Sequence, residues 1–140
     1  MPRPLCVRSL GCLLTGFLAL LTASCGDGGP TLYPVGGKVF FHDAPAEGAT
    51  VVLHPSDPKA AKPSGTVGAD GTFTLLTHPH GEGAPAGDYT VVVTWYPPNA
   101  RGLDNPKNKL PARYADPAQS GLKATVKAGP TELDPFKLTK

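Results

Sequence analysis

The chain has no cysteine after residue 25; Cys6, Cys12 and Cys25 are its only three. No disulfide can form within residues 26–140, and no thiolate there can serve as a nucleophile or metal ligand. Charge of one sign is also lacking. The formal net charge is +2, and Arg3 and Arg8 supply that excess, so the chain beyond residue 24 balances to zero. A neutral body has no electrostatic footprint for nucleic acid. No apolar run is long enough to span a bilayer. The longest, Leu10 to Thr22, has 13 residues, against the ~20 that a spanning helix needs. Beyond it no segment shows a 3.6-residue apolar period, so no helix is expected in the body.

Recognisable catalytic patterns are missing too. There is no G-x-S-x-G nucleophile elbow and no H-E-x-x-H pair. His54, Ser56 and Asp57 are close in sequence, but a triad is defined by geometry, and Pro55 and Pro58 make this stretch a turn that Asp57 would support. Asp70-Gly71 lacks the other acidic positions of a calcium loop. His42, His54, His78 and His80 are scattered over separate segments, with Pro79 interrupting the last pair. A metal site needs about four converging ligands, so no metal and no cofactor is expected.

What is present begins with the leader. Arg3 and Arg8 precede the apolar run, and Thr22-Ala23-Ser24-Cys25 follows it. A basic start, a short apolar stretch and small residues describe an export signal. The segment resembles a bacterial lipoprotein signal at Ala23, Ser24 and Cys25; Thr22 stands where that pattern usually has leucine. The resemblance implies cleavage after residue 24 and acylation, of the palmitate kind, at Cys25. Two or more chains would hold it stably, since one binds only marginally. The competing expectation is an ordinary secretory leader that happens to end near a cysteine. The expected organisation is signal peptide 1–24, lipidated N-terminus and tether 25–32, and one domain 33–140. The expected place is the cell envelope, membrane-anchored and facing the periplasm or the cell exterior.

Glycine and proline number 17 each, and they act as punctuation between runs rich in Val, Thr, Phe, Leu and Tyr, the pattern of an all-β domain. Strands are expected at 33–41, 49–54, 65–68, 72–77, 87–95, 121–127 and 136–139, with a hairpin turn at Asp70-Gly71. Val35, Gly37, Val39, Phe41, Ala49, Val51, Leu53, Phe73, Leu75, Tyr89, Val91, Val93, Trp95, Leu122, Ala124 and Val126 fall on inward faces by two-residue alternation. Seven short strands predict a two-layer Greek-key β-sandwich. Residues 97–118 read as a long polar loop, of which residues 100–109 are expected to be dispensable for folding.

Four segments in order carry a family resemblance: Val35-Gly36-Gly37-Lys38-Val39, Pro45-Ala46-Glu47-Gly48-Ala49-Thr50-Val51, Thr66-Val67-Gly68-Ala69-Asp70-Gly71-Thr72-Phe73, and Gly87-Asp88-Tyr89-Thr90-Val91. Over residues 34–96 the chain resembles the carboxypeptidase regulatory-like domain, a transthyretin-like (prealbumin-like) sandwich. The tail, with Leu110-Pro111-Ala112-Arg113-Tyr114 and Ser120-Gly121-Leu122, is similar to the ending of small bacterial lipoproteins built on that domain. The resemblance implies an accessory or structural module with no catalytic residues to carry over.

The expected function is therefore a non-catalytic envelope module with a structural or binding role. The alternatives are a carbohydrate-binding module, which an exposed row of Trp95, Tyr96 and Tyr114 would favour, or an accessory subunit of an envelope enzyme or secretion complex. Trp95, Tyr96, Arg113 and Tyr114 form the candidate contact surface, for an envelope protein or a polysaccharide. The membrane, through Cys25, is the other expected partner. No nucleic acid and no small-molecule substrate is expected.

Overall fold

The computed structural model describes residues 28–98, 102 and 106–140; the leader, Cys25 and the first tether residues lie outside them. The described residues form eleven short strands and no α-helix: β1 Val35–Phe41, β2 Ala44–Pro45, β3 Thr50–Pro55, β4 Ser64–Thr66, β5 Thr72–Thr74, β6 Leu76–Thr77, β7 Gly81–Glu82, β8 Gly87–Thr94, β9 Leu122–Val126, β10 Thr131–Glu132 and β11 Phe136–Leu138. A 3₁₀ turn covers Ala112–Ala115.

β1 organises the first sheet. Its odd residues bond to one side: Val39 N–H donates to Gly71, and the carbonyls of Val35 and Val39 accept from Leu75 and Ala46. On the other side, the carbonyls of Pro34 and Gly36 accept from Thr131 and Leu133, and His42 N–H donates to Leu138. Antiparallel β5 and β2 therefore line one edge of β1, and parallel β10 and β11 line the other. A tight hairpin joins β1 to β2, with His42 and Asp43 both at positive φ, 52° and 62°. That is the twist a two-residue hairpin needs, and Asp and His tolerate it better than most residues. The second sheet is antiparallel, in the order β7-β6-β4-β3-β8-β9.

The two sheets share one core. Val35 and Val39 of β1, Phe73 of β5 and Phe136 and Leu138 of β11 meet Val51 and Leu53 of β3, Val91 and Val93 of β8, and Ala124 and Val126 of β9. The inward rows expected from alternation are buried, except that Phe41, Trp95 and Leu122 are only half-buried. Each fully buried Val or Leu contributes about 1.5–3 kcal/mol, and that burial takes the place of disulfides here.

The expected single strand 72–77 is two strands in different sheets. The crossing residue is Leu75, whose N–H donates to Val35 and whose carbonyl accepts from Gly83. The sheets come together at this corner, where a Cβ on Gly65 of β4 would collide with the Thr74 carbonyl oxygen. Three further short strands, β2, β7 and β10, extend the expected seven. The Gly/Pro-rich stretch 81–86, between two expected strands, contains β7, and its Ala84 forms a bridge with Tyr33. Such pieces are too short for any periodicity to mark them.

Candidate functional site

Trp95 and Tyr96 follow β8, where Pro97 and Pro98 stop the strand. Alternation points Trp95 inward, and it packs half-buried against the core, with the Phe41 ring edge-on at 6.2 Å. Tyr96 faces outward and is 42% exposed, one of two large apolar side chains so exposed among the described residues, with Leu76. Lys109 Nζ sits 4.7 Å above the Trp95 ring, so a cation already covers that face. Pro45, Glu47, Gly48, Trp95, Tyr96, Pro98 and Lys109 line a hollow of about 520 Å³.

Asn108 builds this corner. Its side-chain oxygen accepts from the Trp95 N–H at 2.8 Å and from the Leu110 N–H at 3.1 Å. The Lys109 N–H donates to the Trp95 carbonyl at 2.8 Å. These bonds fasten the returning chain to the end of β8. Leu110 and Tyr114 then enter the core cluster. The expectation that residues 100–109 are dispensable for folding is thus corrected at Asn108 and Lys109, which tie the chain to the end of β8. No local signal marks this tie, because the end of β8 that Asn108 and Lys109 bind is 13 to 14 residues back along the chain.

Arg113 and Tyr114 serve a different purpose from the contact role assigned to them. Tyr114 is buried, 6% exposed, so it is not a surface aromatic. Its hydroxyl accepts from the Thr139 N–H and from Arg113 Nη2, each at 3.1 Å. Arg113 Nη2 also donates to the carbonyls of Thr139 and Lys140 at 3.0 and 3.1 Å. Burial by itself would raise the Tyr114 phenol, but the Thr139 N–H and the Arg113 guanidinium together hold it below the usual tyrosine value. The pair is a clamp on the segment following β11. Trp95, Tyr96 and Tyr114 accordingly do not form an exposed row.

The four residues nevertheless lie at one end of the sandwich. β1 runs from Val35 to Phe41, ~20 Å at about 3.3 Å per residue. At its far end Phe41 touches Trp95 and pairs with Leu138. At its near end Tyr33 bridges Ala84, and Gly29 lies against His80. The tether thus enters opposite the Trp95–Tyr96 hollow.

The remaining chemistry-bearing residues are dispersed. Asp57 accepts from the Lys59 N–H at 2.9 Å and closes a turn. Asp70 accepts from the Thr72 N–H and hydroxyl; those bonds hold its carboxyl below the usual range. Among the described residues no three His, Cys, Asp or Glu side chains converge as a metal site. A second hollow, unmarked by any motif, is lined in part by His54, Lys62, Thr90 and Lys123.

No protein-family model matches this chain, and no curated protein matches it. Among solved structures it is similar to a DUF3823 family protein from Parabacteroides merdae, at 18% identity and a TM-score of 0.37; the match covers 79% of this chain and 46% of that one. The chain therefore spans less than half the length of that protein.

Proposed function

We propose that this protein is an exported, lipid-anchored and non-catalytic module of the cell envelope, with a transthyretin-like sandwich of the carboxypeptidase regulatory-like kind. The observation that carries this reading is the pairing of the leader ending at Cys25 with a tether that joins one end of the sandwich. Anchored there, the body would stand with the Trp95–Tyr96 hollow directed away from the membrane. Its role would be to hold or present a partner at that end. The Lys109 ammonium over Trp95 and the burial of Tyr114 weaken the case for sugar stacking on an aromatic row there. An envelope protein is the partner this end suits better.

Replacing Cys25 with serine is expected to release the protein from membranes or leave the leader uncleaved. Intact mass of the purified native protein should show residues 25–140 plus acyl chains. A membrane fraction unchanged by C25S after detergent-free washing would overturn the anchor. In-cell crosslinking from a photoreactive residue at Tyr96 should capture an envelope protein, and capture of none would overturn the partner role.

A further inference from the structure

The second hollow lies on the outer face of the second sheet, away from the Trp95–Tyr96 end. Its floor is a row across three neighbouring strands. His54 of β3 is directly opposite Thr90 of β8, and Thr90 is directly opposite Lys123 of β9. Side chains so placed are about 4.5–5.5 Å apart at Cβ, close enough to act on one ligand group. Lys123 Nζ donates to Thr90 Oγ1 at 2.9 Å, which holds the ammonium over the row. Lys62 and Ser56 approach from the loop after β3, and Pro55, Pro58 and Pro117 form walls. Proline rings are fixed at φ, so these walls are set before any ligand arrives. Strand-borne side chains are likewise held more firmly than loop-borne ones.

The chemistry of the lining is selective. Two ammonium groups face one carboxylate, that of Asp88, on a body whose formal charge is zero. Asp88 Oδ1 already accepts from Thr125 Oγ1 at 2.7 Å, leaving a second carboxylate oxygen to accept from a ligand hydroxyl. Burial, and then the Lys62 charge, hold the His54 imidazole below its ordinary value, so near neutral pH it is uncharged and can both donate and accept. The volume, about 310 Å³, stands at the lower limit of small-molecule sites and suits one sugar ring.

We propose that this hollow binds an anionic sugar unit, one carrying a carboxylate on a pyranose ring. Lys62 and Lys123 take the carboxylate. Ser56, Thr90, His54 and Asp88 take ring hydroxyls. This site goes beyond the envelope-module reading and does not depend on the lipid anchor.

The test is calorimetric or NMR titration of the purified full-length protein in detergent with glucuronate, glucose and inorganic sulfate. Glucuronate is expected to bind, to bind at least tenfold more tightly than glucose, and to weaken as salt rises. K62A/K123A should reduce glucuronate affinity at least tenfold while leaving the thermal midpoint within a few degrees. K109A, at the other hollow, should leave it unchanged. Equal binding of glucuronate and glucose would overturn the proposal, as would unaltered affinity in folded K62A/K123A. Sulfate binding as tight as glucuronate would overturn the sugar-sized part of it. Because C25S membrane release is read separately, loss of one reading leaves the other standing.

Discussion

Single side chains decide two features of this protein. Asn108 satisfies the N–H groups of Trp95 and Leu110 with one oxygen. N108A leaves both donors without that partner in a half-buried place, and a lost hydrogen bond of this kind costs about 1–3 kcal/mol. A matching drop in urea-unfolding free energy is expected, with faster amide exchange at Leu110. His54 gives a pH effect with a definite sign. Burial first and Lys62 second disfavour its imidazolium, so the folded protein takes up the proton less readily than the unfolded chain, which titrates near 6.5. Its contribution is complete above that pH and is lost as pH falls through the depressed folded value. The urea midpoint should therefore decline between pH 7.5 and 5.5, and H54Q should flatten the decline. The roles of Asp70 and the core rows were readable from the sequence because the signal for each, an Asp-Gly turn and a two-residue alternation, is local. Asn108 and Arg113 were not, since the distant segments they tie down, Trp95 and Thr139–Lys140, are 13 to 27 residues away.

Element-scale behaviour turns on the corner between β4, β5 and β6. The hairpin expected at Asp70-Gly71 is instead a turn between strands of different sheets, β4 and β5, and it closes with the Gly71 N–H donating to Gly68 and the Gly68 N–H donating to Thr72. Gly71 stands at φ 83°, the left-handed residue that ends this turn. G71A should cost about 1 kcal/mol or more, because the native φ is incompatible with alanine. G65A should cost more, about 1–3 kcal/mol, since its Cβ meets the backbone of Thr74 and the corner must open. For a domain this size 1 kcal/mol is roughly 4–8 °C in melting temperature, so differential scanning calorimetry ranks the two directly. An order reversed from this would show that the corner yields easily. Asp-Gly announced the turn; nothing local announced that the chain changes sheet across it and again at Leu75, because an inward alternation of Phe73 and Leu75 reads the same whichever sheet the backbone joins.

At the scale of the whole molecule, the anchors at Trp95 and Asn108 divide the long connection into two parts. Replacing residues 99–105 with a Gly/Ser segment of equal length keeps every bond of Asn108, Lys109 and Leu110 to β8. Unfolding free energy within about 0.5 kcal/mol of the native chain is expected, the usual range for changes that leave the hydrogen-bonded anchors intact. Deleting 100–109 instead removes Asn108 and Lys109, and should destabilise the fold at least as much as N108A. Equal stability of the two variants would show that the clamp contributes nothing.

By itself the sequence determined that the body is all-β, where most strands lie and which side chains face inward, because a two-residue period and Gly, Pro and Asp-Gly punctuation are written residue by residue. Only the tertiary structure decided that β10 and β11 run parallel to β1, that Tyr114 is buried in a clamp, and that His54, Thr90 and Lys123 form one row. Those arrangements depend on which distant strands pair and in which register, and a register is a property of two segments that neither carries alone.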